Sequence, residues 1–220
     1  DAEAQSECDA ECVSVRLLVD PTDPCAWWLQ VKSPDQSGLL FKICEVLQSH
    51  GVDVCSAVLT IESGLVDNQF ELKVARPSEV TDAADWCAEL EDFLVKNRAS
   101  GGVFLQRLLT EGSMAAASRK LHVNPDLLSV VSFRELAREE GPQEVAIHYH
   151  LEIEGINQAG LLTYAALVLC RCGFSVVAAT VATRDGRVCD SFDLVARSMA
   201  AEQKLQSYLD VPPSRSRPAN

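Results

Sequence analysis

The sequence predicts an α+β protein in which one folding unit occurs twice, with helices on one face of antiparallel strands. The first observation is an internal repeat: residues 29–72 align with residues 151–194 without a gap, and 14 of the 44 aligned positions are identical. Unrelated sequences of ordinary composition would share roughly 3. The second observation is that each copy carries the hydrophobic pattern of a strand, a helix and two further strands, with glycines at equivalent positions. A unit present twice is expected to fold twice and to pack against itself.

The first predicted element is a strand over residues 26–32, whose side chains alternate between an apolar face and a second face that carries Trp28. Residues 34–38 interrupt this strand, and Ser37 is predicted to be the N-cap of the helix that follows. That helix has apolar residues at helical spacing and ends at Gly51, which can adopt the left-handed conformation of a helix C-terminus.

Two strands joined by a tight hairpin complete each copy. In the first copy they cover residues 52–61 and 65–75 around a Ser-Gly pair at 63–64. The second copy has an Asp-Gly pair at 185–186, which is a strong signal for a two-residue hairpin turn. The split strand–helix–strand order with a hairpin gives antiparallel strands covered on one face by helices.

The segments outside the repeats also carry patterns. Residues 13–19 form an extra edge strand, and residues 79–96 form an amphipathic helix, which residues 103–109 either continue or follow as a short strand. The stretch after it has helical character, with a helix over residues 133–140 that stops at a Gly-Pro pair. Residues 199–209 are predicted to be the closing helix.

Composition excludes several functional classes. The net charge of -13 repels polyanions, so nucleic-acid binding is not expected, and no apolar run is long enough to span a membrane. Nine cysteines, an odd number, lack the spacing of a disulfide framework and favour a reducing compartment. The chain begins without a methionine or an apolar leader, which suggests that a targeting segment has been removed. No catalytic motif is present, so the protein is not expected to be an enzyme, and no cofactor is expected.

The repeated motif resembles a known family. The sequence D-Q-S-G-L-L at residues 35–40, followed by Gly51, Gly64 and Phe70, is similar to an ACT domain, and N-Q-A-G-L-L at residues 157–162 begins the second copy. The layout resembles the plastid proteins of plants and algae that contain two ACT domains. The resemblance implies two ferredoxin-like (βαββαβ) modules and a chloroplast protein that is soluble or peripherally attached. The implied boundaries are 13–110 for the first module, 111–142 for a helical connector, 143–209 for the second module, and 1–12 and 210–220 for the tails.

ACT modules commonly bind amino acids where two modules meet, so the resemblance implies a ligand site at the loop that begins each first helix. Amide groups at a helix start favour a carboxylate, and the Asp35 side chain could receive an ammonium group. The same residue types are ordinary turn and cap residues, so a purely structural role explains them too. The ligand-binding candidates are Asp35, Gln36, Ser37, Gly38, Leu39, Asn157, Gln158, Ala159 and Gly160.

The first helix of the second copy has an apolar outer face. The positions that match Lys42 and Glu45 are occupied by Tyr164 and Leu167, which an exposed helix would not tolerate well. The connector, the sister repeat or a partner protein must cover them. Trp28 lies on the polar face of its strand and also needs something to cover it. The partner-binding candidates are therefore Trp28, Tyr164 and Leu167.

A strand in the second copy carries polar side chains that could suggest a metal. His148, His150, Glu152 and Glu154 share one face of it, although ordinary solvated alternation explains them equally, and no metal site is predicted. The cysteines, including the pair at 170 and 172, fit structural roles better than redox sensing.

The sequence therefore favours a non-catalytic regulatory protein that senses a small ligand, such as an amino acid, or docks to a partner protein or to a second copy. By resemblance, nitrogen assimilation is the natural setting. The alternative is an accessory or scaffold subunit of a large plastid complex, such as a photosynthetic one, which would use the same fold for protein–protein contact.

Overall fold

A computed structural model of the chain describes residues 13–74, 83–99, 112–140 and 145–209. Within these residues, eight strands form one antiparallel sheet in the order β1-β2-β4-β3-β7-β8-β6-β5. The strands are β1 (Ser14–Val19), β2 (Ala26–Pro34), β3 (Val52–Glu62), β4 (Leu65–Val74), β5 (Leu128–Glu140), β6 (Val145–Ile156), β7 (Phe174–Arg184) and β8 (Arg187–Ala196).

Among the described residues, five α-helices accompany the sheet. They are α1 (Leu39–Ser49), α2 (Ala83–Ala99), α3 (Met114–Lys120), α4 (Leu161–Cys172) and α5 (Ala200–Tyr208), and a single 3-10 turn, Pro125–Leu127, follows α3. None of these helices is long and apolar enough to cross a membrane. The predicted tails (1–12 and 210–220) and the segment 103–109 lie outside the described residues.

The α+β class is confirmed, but the strands form one continuous sheet rather than a separate sheet for each copy. The two halves meet where β3 pairs with β7. An unpaired strand edge exposes a row of backbone N–H and C=O groups, and joining two such edges satisfies both of them. The repeat thus pairs with itself edge to edge.

The order of elements along the chain also differs from the predicted βαββαβ order. The strand beside β2 is β1, which precedes it, and the strand beside β6 is β5, which also comes first. In the described parts of the chain each half therefore runs strand, strand, helix, strand, strand, helix. The predicted extra strand over residues 13–19 is confirmed as β1.

The two hairpin turns confirm the sequence signals. Ser63 and Gly64 have φ angles of 53° and 77°, and Asp185 and Gly186 have φ angles of 50° and 74°. Two successive residues with positive φ are the mark of a type I′ turn, whose twist matches that of the flanking strands. This local geometry explains why the hairpins were readable from the sequence.

Two local predictions were wrong. Ser37 is not the N-cap of α1, because Gly38 holds that position in a left-handed conformation (φ 80°) with no side-chain cap. Residues 133–140 are not helical but belong to β5, although their Glu, Arg, Ala and Leu residues have good helix propensity. Pairing with β6 and burial of Phe133, stacked 5.0 Å from Tyr149, override that propensity.

The core lies between one face of the sheet and the helices. Strand β2 buries alternate residues, so that Trp27 is covered while Trp28 is exposed. Trp27 stacks on Trp86 of α2, with their ring centroids 6.5 Å apart. Phe70 and Phe192, which are equivalent in the repeat, are both fully buried. Each half thus builds the same core around its own copy of the motif.

Candidate functional site

The two predicted ligand loops have the same backbone structure. Gly38 and Gly160 precede α1 and α4 with φ angles of 80° and 81°. The Asp35 N–H donates to the Gly64 carbonyl at 2.9 Å, and the Asn157 N–H makes the matching bond to Gly186 at 2.9 Å. Each loop is therefore tied to the hairpin turn of its own half, which fixes where the following helix begins.

Each loop lies at a junction between the two halves. The first loop lines a cavity of about 40 Å³ together with α4 and the start of β7, which belong to the second half. The second loop lines a cavity of about 40 Å³ together with α1 and the start of β3, from the first half. We refer to these as the first and second junctions. The candidates Asp35, Gln36, Ser37, Gly38 and Leu39 line the first, and Asn157, Gln158 and Gly160 line the second.

At the second junction, side chains from elsewhere in the chain contact the loop. The Gln48 side chain from α1 packs so closely on Gly160 that a Cβ added there would lie 2.3 Å from the Gln48 Nε2 atom. Gln158 makes two hydrogen bonds with the backbone of Asn124: its Oε1 atom accepts from the N–H at 2.7 Å, and its Nε2 atom donates to the carbonyl at 3.2 Å. Gln48 thus lies where a ligand would approach Gly160, and its own Oε1 atom is buried there without a hydrogen-bond partner.

The first junction is built differently. The position equivalent to Gln48 is Cys170, whose side chain is shorter. The Gln36 side chain reaches away from the loop and donates from Nε2 to the carbonyl of Leu94 in α2 at 3.0 Å. One helix-start amide is used within the loop in both halves: the Leu39 N–H donates to the Gln36 carbonyl at 3.1 Å, and the Leu161 N–H donates to the Gln158 carbonyl at 3.0 Å.

Asn68 gives the first junction an unsatisfied acceptor. This residue of β4 lines the same cavity, is only 3% exposed, and its Oδ1 atom is buried without a hydrogen-bond partner. A buried acceptor left unpaired costs about 1–3 kcal/mol, so a donor placed there would be favoured. Neighbouring atoms desolvate Asp35, which raises the pKa of that carboxyl, while the Gln36 N–H opposes the shift.

Asp190 occupies the equivalent position at the second junction. It is 3% exposed, and its Oδ1 atom accepts from the Ala182 N–H at 3.3 Å. Burial raises the pKa of Asp190 to about 7. We did not single out Asn68 and Asp190 from the sequence, although both are polar residues at inward-facing positions of an otherwise apolar alternation. A polar residue at such a position is the sequence signal that could have indicated both of them.

Two of the three predicted partner-binding residues are not at the surface. Tyr164 is 2% exposed and Leu167 is 5% exposed, because α1, α3 and α5 all pack against α4. The expectation that they form a docking face was wrong, since the chain covers this face of α4 by itself. Trp28 is different: it is 47% exposed and pairs in register with Leu18, which is 69% exposed.

Three of the four residues in the polar stripe on β6 (His148, His150 and Glu152) have paired side chains. The Nδ1 atom of His150 lies 2.6 Å from Asp193 and its Nε2 atom lies 3.2 Å from Glu152. His148 lies 3.6 Å from Glu139. Among the described residues, no group of three or more His, Cys, Asp or Glu side chains is arranged to hold a metal ion.

The helix cysteines lie in apolar surroundings. Burial raises the pKa of Cys170 to about 11 and that of Cys172 to about 12, and it also raises the pKa of Cys44. Thiols in such surroundings stay protonated near neutral pH, which favours a structural role over a reactive one.

No protein-family model, no curated protein and no solved structure matches this chain. The family therefore remains a prediction from the duplicated motif, and the function that follows is a proposal.

Proposed function

We propose that this chain is a non-catalytic regulatory protein of the tandem ACT type, with two modules joined edge to edge that have a ferredoxin-like arrangement in which the last strand has moved to the front, and that it senses an amino acid at the first junction. The observation that carries the proposal is that Asn68, whose Oδ1 atom is buried and unpaired, lines the same cavity as the start of α1. The positive end of a helix dipole and an unpaired acceptor together suit the carboxylate and the ammonium group of one small zwitterion.

The chemistry of such a complex follows from these groups. The ligand carboxylate would lie at the N-terminus of α1, beside Gly38, where the absence of a side chain permits close approach. Its ammonium group would donate to the Oδ1 atom of Asn68, with Asp35 at the cavity edge as a second acceptor.

The cavity at the first junction is smaller than an amino acid, and the proposed regulation depends on this difference. About 40 Å³ is room for a few ordered waters, and an amino acid is larger. Binding therefore requires α4 and β7 to move away from the first loop. A ligand that binds only this more open arrangement would shift the population toward it, and that shift is the signal.

The second junction supports the proposal as an internal contrast. Gln48 lies on Gly160, and Gln158 is bonded to Asn124, so the same loop there already has its partners within the chain. We therefore expect one ligand for each chain, bound at the first junction.

The test is calorimetric titration of the intact chain with each of the twenty amino acids at millimolar concentration, together with thermal melts. Wild-type protein should bind at least one of them and melt at a higher temperature in its presence. Asn68→Leu, which keeps the branched shape of the side chain and removes the acceptor, should abolish the heat of binding. Asp190→Asn is the matched control, because it alters the equivalent position at the other junction and should leave binding unchanged. Failure of all twenty to bind, or normal binding by Asn68→Leu, would overturn the proposal.

A second candidate function is docking to a partner protein as an accessory subunit of a large plastid assembly. The exposed pair of Leu18 and Trp28 on the open face of the sheet favours it, because large apolar side chains side by side at a surface are typical of protein contacts. Native-mass measurement of the protein in a plastid extract tests it: a subunit runs with its complex, whereas a sensor runs as a small oligomer. Trp28→Lys should release the protein from the complex, and Lys32→Ala, on the same face, should not.

A further inference from the structure

A cavity of about 500 Å³ lies in the second half, between the start of β5, the middle of α4 and the end of α5. None of its described lining residues also lines either junction, so it is a separate feature. Its volume falls within the roughly 300–1,000 Å³ that is typical of small-molecule sites. The cavity therefore has room for a small organic ligand without any rearrangement of the chain.

The cavity reaches down to core side chains. Ile153 of β6 and Val168 of α4 both line it, and they are 3% and 0% exposed. Leu128 and Val130, at the start of β5, are partly buried and add to the same lining. Since burial of apolar surface is favourable, this part of the lining suits the apolar body of a ligand.

Tyr164 of α4 adds a polar group without a partner. The residue lines the cavity and is 2% exposed, and among the described residues its hydroxyl makes no hydrogen bond. Burial raises the pKa of Tyr164, so the hydroxyl stays protonated near neutral pH and is able both to donate and to accept. Because a buried polar group without a partner is costly, a polar group of a ligand beside it would be favoured.

The charge of the lining is negative. Of the described residues that line the cavity, Asp126 is the one with a charged side chain, and it is exposed at the rim. It forms no ion pair within the described part of the chain. The net charge of -13 also raises the concentration of cations near the protein. The charge near the cavity and the charge of the whole chain therefore both favour a cation over an anion.

In the first half, the chain places a cation of its own at the equivalent position. Lys42 of α1 is the repeat equivalent of Tyr164. Its Nζ atom lies 3.2 Å from a carboxylate oxygen of Glu89 and 5.5 Å from the centre of the Phe93 ring, and both of these residues belong to α2. The two helices of the first half thus enclose an ammonium group between a carboxylate and an aromatic ring, which both attract it.

The second half keeps the aromatic ring and lacks the ammonium group. Phe93 lies three residues after the buried Leu90 of α2, and Tyr208 lies three residues after the buried Leu205 of α5. Tyr208 therefore holds the place of Phe93, and it lines the cavity together with Tyr164. The cavity thus lies where the first half has its own cation.

One cation of α5 lies one turn before Tyr208. By the same spacing, Lys204 holds the place of Glu89. Burial raises the pKa of Cys172 at the end of α4, and the charge of Lys204 opposes this rise. Lys204 is not among the described residues that line the cavity. The anion available to a ligand in the second half is therefore Asp126.

We propose that this cavity binds a small amine with an apolar body. The ammonium group lies between the Tyr208 ring and the Asp126 carboxylate and donates to the Tyr164 hydroxyl, while the body packs on Ile153 and Val168. The ligand thus supplies from outside the cation that the first half supplies through a lysine. This site does not depend on the amino-acid site at the first junction.

The probe for this site is 2-phenylethylamine, a cation at neutral pH with an aromatic body, titrated into the intact chain at low salt and followed by saturation-transfer NMR. Asp126→Asn should weaken binding about threefold, because it removes an exposed charge and keeps the shape of the side chain. Tyr208→Leu should weaken binding about threefold through loss of the ring, and Tyr208→Phe should not. Glu62→Gln, which removes an exposed carboxylate at the end of β3 in the first half, is the matched control and should leave the affinity unchanged.

Two further variants test the comparison between the halves. Tyr164→Lys gives the second half the ammonium group that Lys42 gives the first, so it should abolish binding, and its melting curve shows whether it is folded. Lys204→Glu gives α5 the anion that α2 has in Glu89, so it should tighten binding at least about threefold. Weaker binding by Lys204→Glu would contradict the equivalence of the two places.

A neutral analogue tests the chemical class. 2-Phenylethanol, which has the same body without the charge, should bind about tenfold more weakly than the amine. Equal affinity for the two compounds, or no binding of the amine by the wild type, would overturn the assignment. Unchanged affinity in Asp126→Asn or Tyr208→Leu, or equal weakening by Glu62→Gln, would overturn the site. Asn68→Leu should leave binding of the probe unchanged, so failure at this cavity is distinguishable from failure of the amino-acid site.

Discussion

Val58 and Thr180 pair directly across the centre of the sheet, and they are the same position in the two repeats. Equivalent residues can pair in this way only where an approximate twofold axis passes between them, so the two halves are related as in an isologous dimer fused into one chain. The pairing of β3 with β7 makes the eight strands a single hydrogen-bonded sheet, which couples the stabilities of the halves.

The first prediction concerns this coupling. Phe192→Ala, in the core of the second half, should cost about 3–5 kcal/mol of unfolding free energy and should destabilise the first half equally. All three tryptophans lie in the first half, so their fluorescence reports on that half alone, whereas far-UV circular dichroism reports on both. In guanidinium titrations the two midpoints should shift together. Phe70→Ala, which makes the same change in the first half, is the matched control. A fluorescence midpoint that stays in place with Phe192→Ala would show that the halves unfold independently.

The second prediction concerns the contact of Gln48 with Gly160 at the second junction. Gly160→Ala and Gly173→Ala both place a Cβ at a positive φ, which costs roughly 1–2 kcal/mol. Only the Cβ at 160 also collides with Gln48, because nothing lies within 4 Å of the one at 173. Gly160→Ala should therefore be the less stable variant by at least about 1 kcal/mol in urea unfolding, through the displaced and desolvated amide.

A double-mutant cycle identifies the cause of that difference. Adding Gln48→Ala to Gly160→Ala should recover part of the loss, whereas adding it to Gly173→Ala should not. Equal stability of the two single glycine variants would contradict the close packing at Gly160.

The third prediction concerns pH. Burial raises the pKa of Asp190 to about 7 in the folded protein, well above the ordinary value of 3.8 that applies when the chain is unfolded. The folded state thus holds a proton that the unfolded state has lost, so this residue makes stability fall as pH rises from about 4 to about 7. Asp190→Asn should remove that fall, raising stability at pH 8 by on the order of 1–3 kcal/mol and changing it little at pH 4.

Thermal melts of wild type and Asp190→Asn across this pH range provide the measurement. Asn68→Asp, which places a carboxyl at the equivalent position in the first half, should create a second fall in the same range. Parallel pH profiles for wild type and Asp190→Asn would show that Asp190 is not the responsible group.

The fourth prediction concerns the thiols. Cys189 is exposed, while Cys44, Cys170 and Cys172 are buried in surroundings that raise their pKa values. N-ethylmaleimide at pH 8 should therefore modify Cys189 in the native protein and reach the three buried thiols only after denaturation. Mass mapping of peptides gives the rate at each site. Native modification of Cys170 or Cys172 at the rate of Cys189 would restore redox sensing as a candidate role.

Much of the local structure was readable from the sequence. The alternation of Trp27 and Trp28, the spacing of α1 and the hairpin pairs at 63–64 and 185–186 all gave the correct elements, because each depends on neighbouring residues. Strand β5 was missed for the same reason: its local propensity is helical, and only its pairing with β6 makes it a strand.

The candidate site was predictable only in part. The resemblance gave the two loops, and the structure places each of them at a junction between the halves. The sequence did not show that Gln48 covers Gly160, or that Asn68 leaves an acceptor unpaired beside the first loop. These contacts join residues far apart in the chain, and periodicity alone does not identify a residue's partner.

The sequence by itself determined that this protein is an α+β fold with a duplicated unit, because side-chain periodicity and glycine conformations act over a few residues. Only the tertiary structure decided that the two copies share one sheet through Val58 and Thr180, and that the chain buries Tyr164 and Leu167 by itself. The physical reason is that a strand edge or an apolar face requires some partner, while which partner it takes depends on the free energy of the whole packed arrangement.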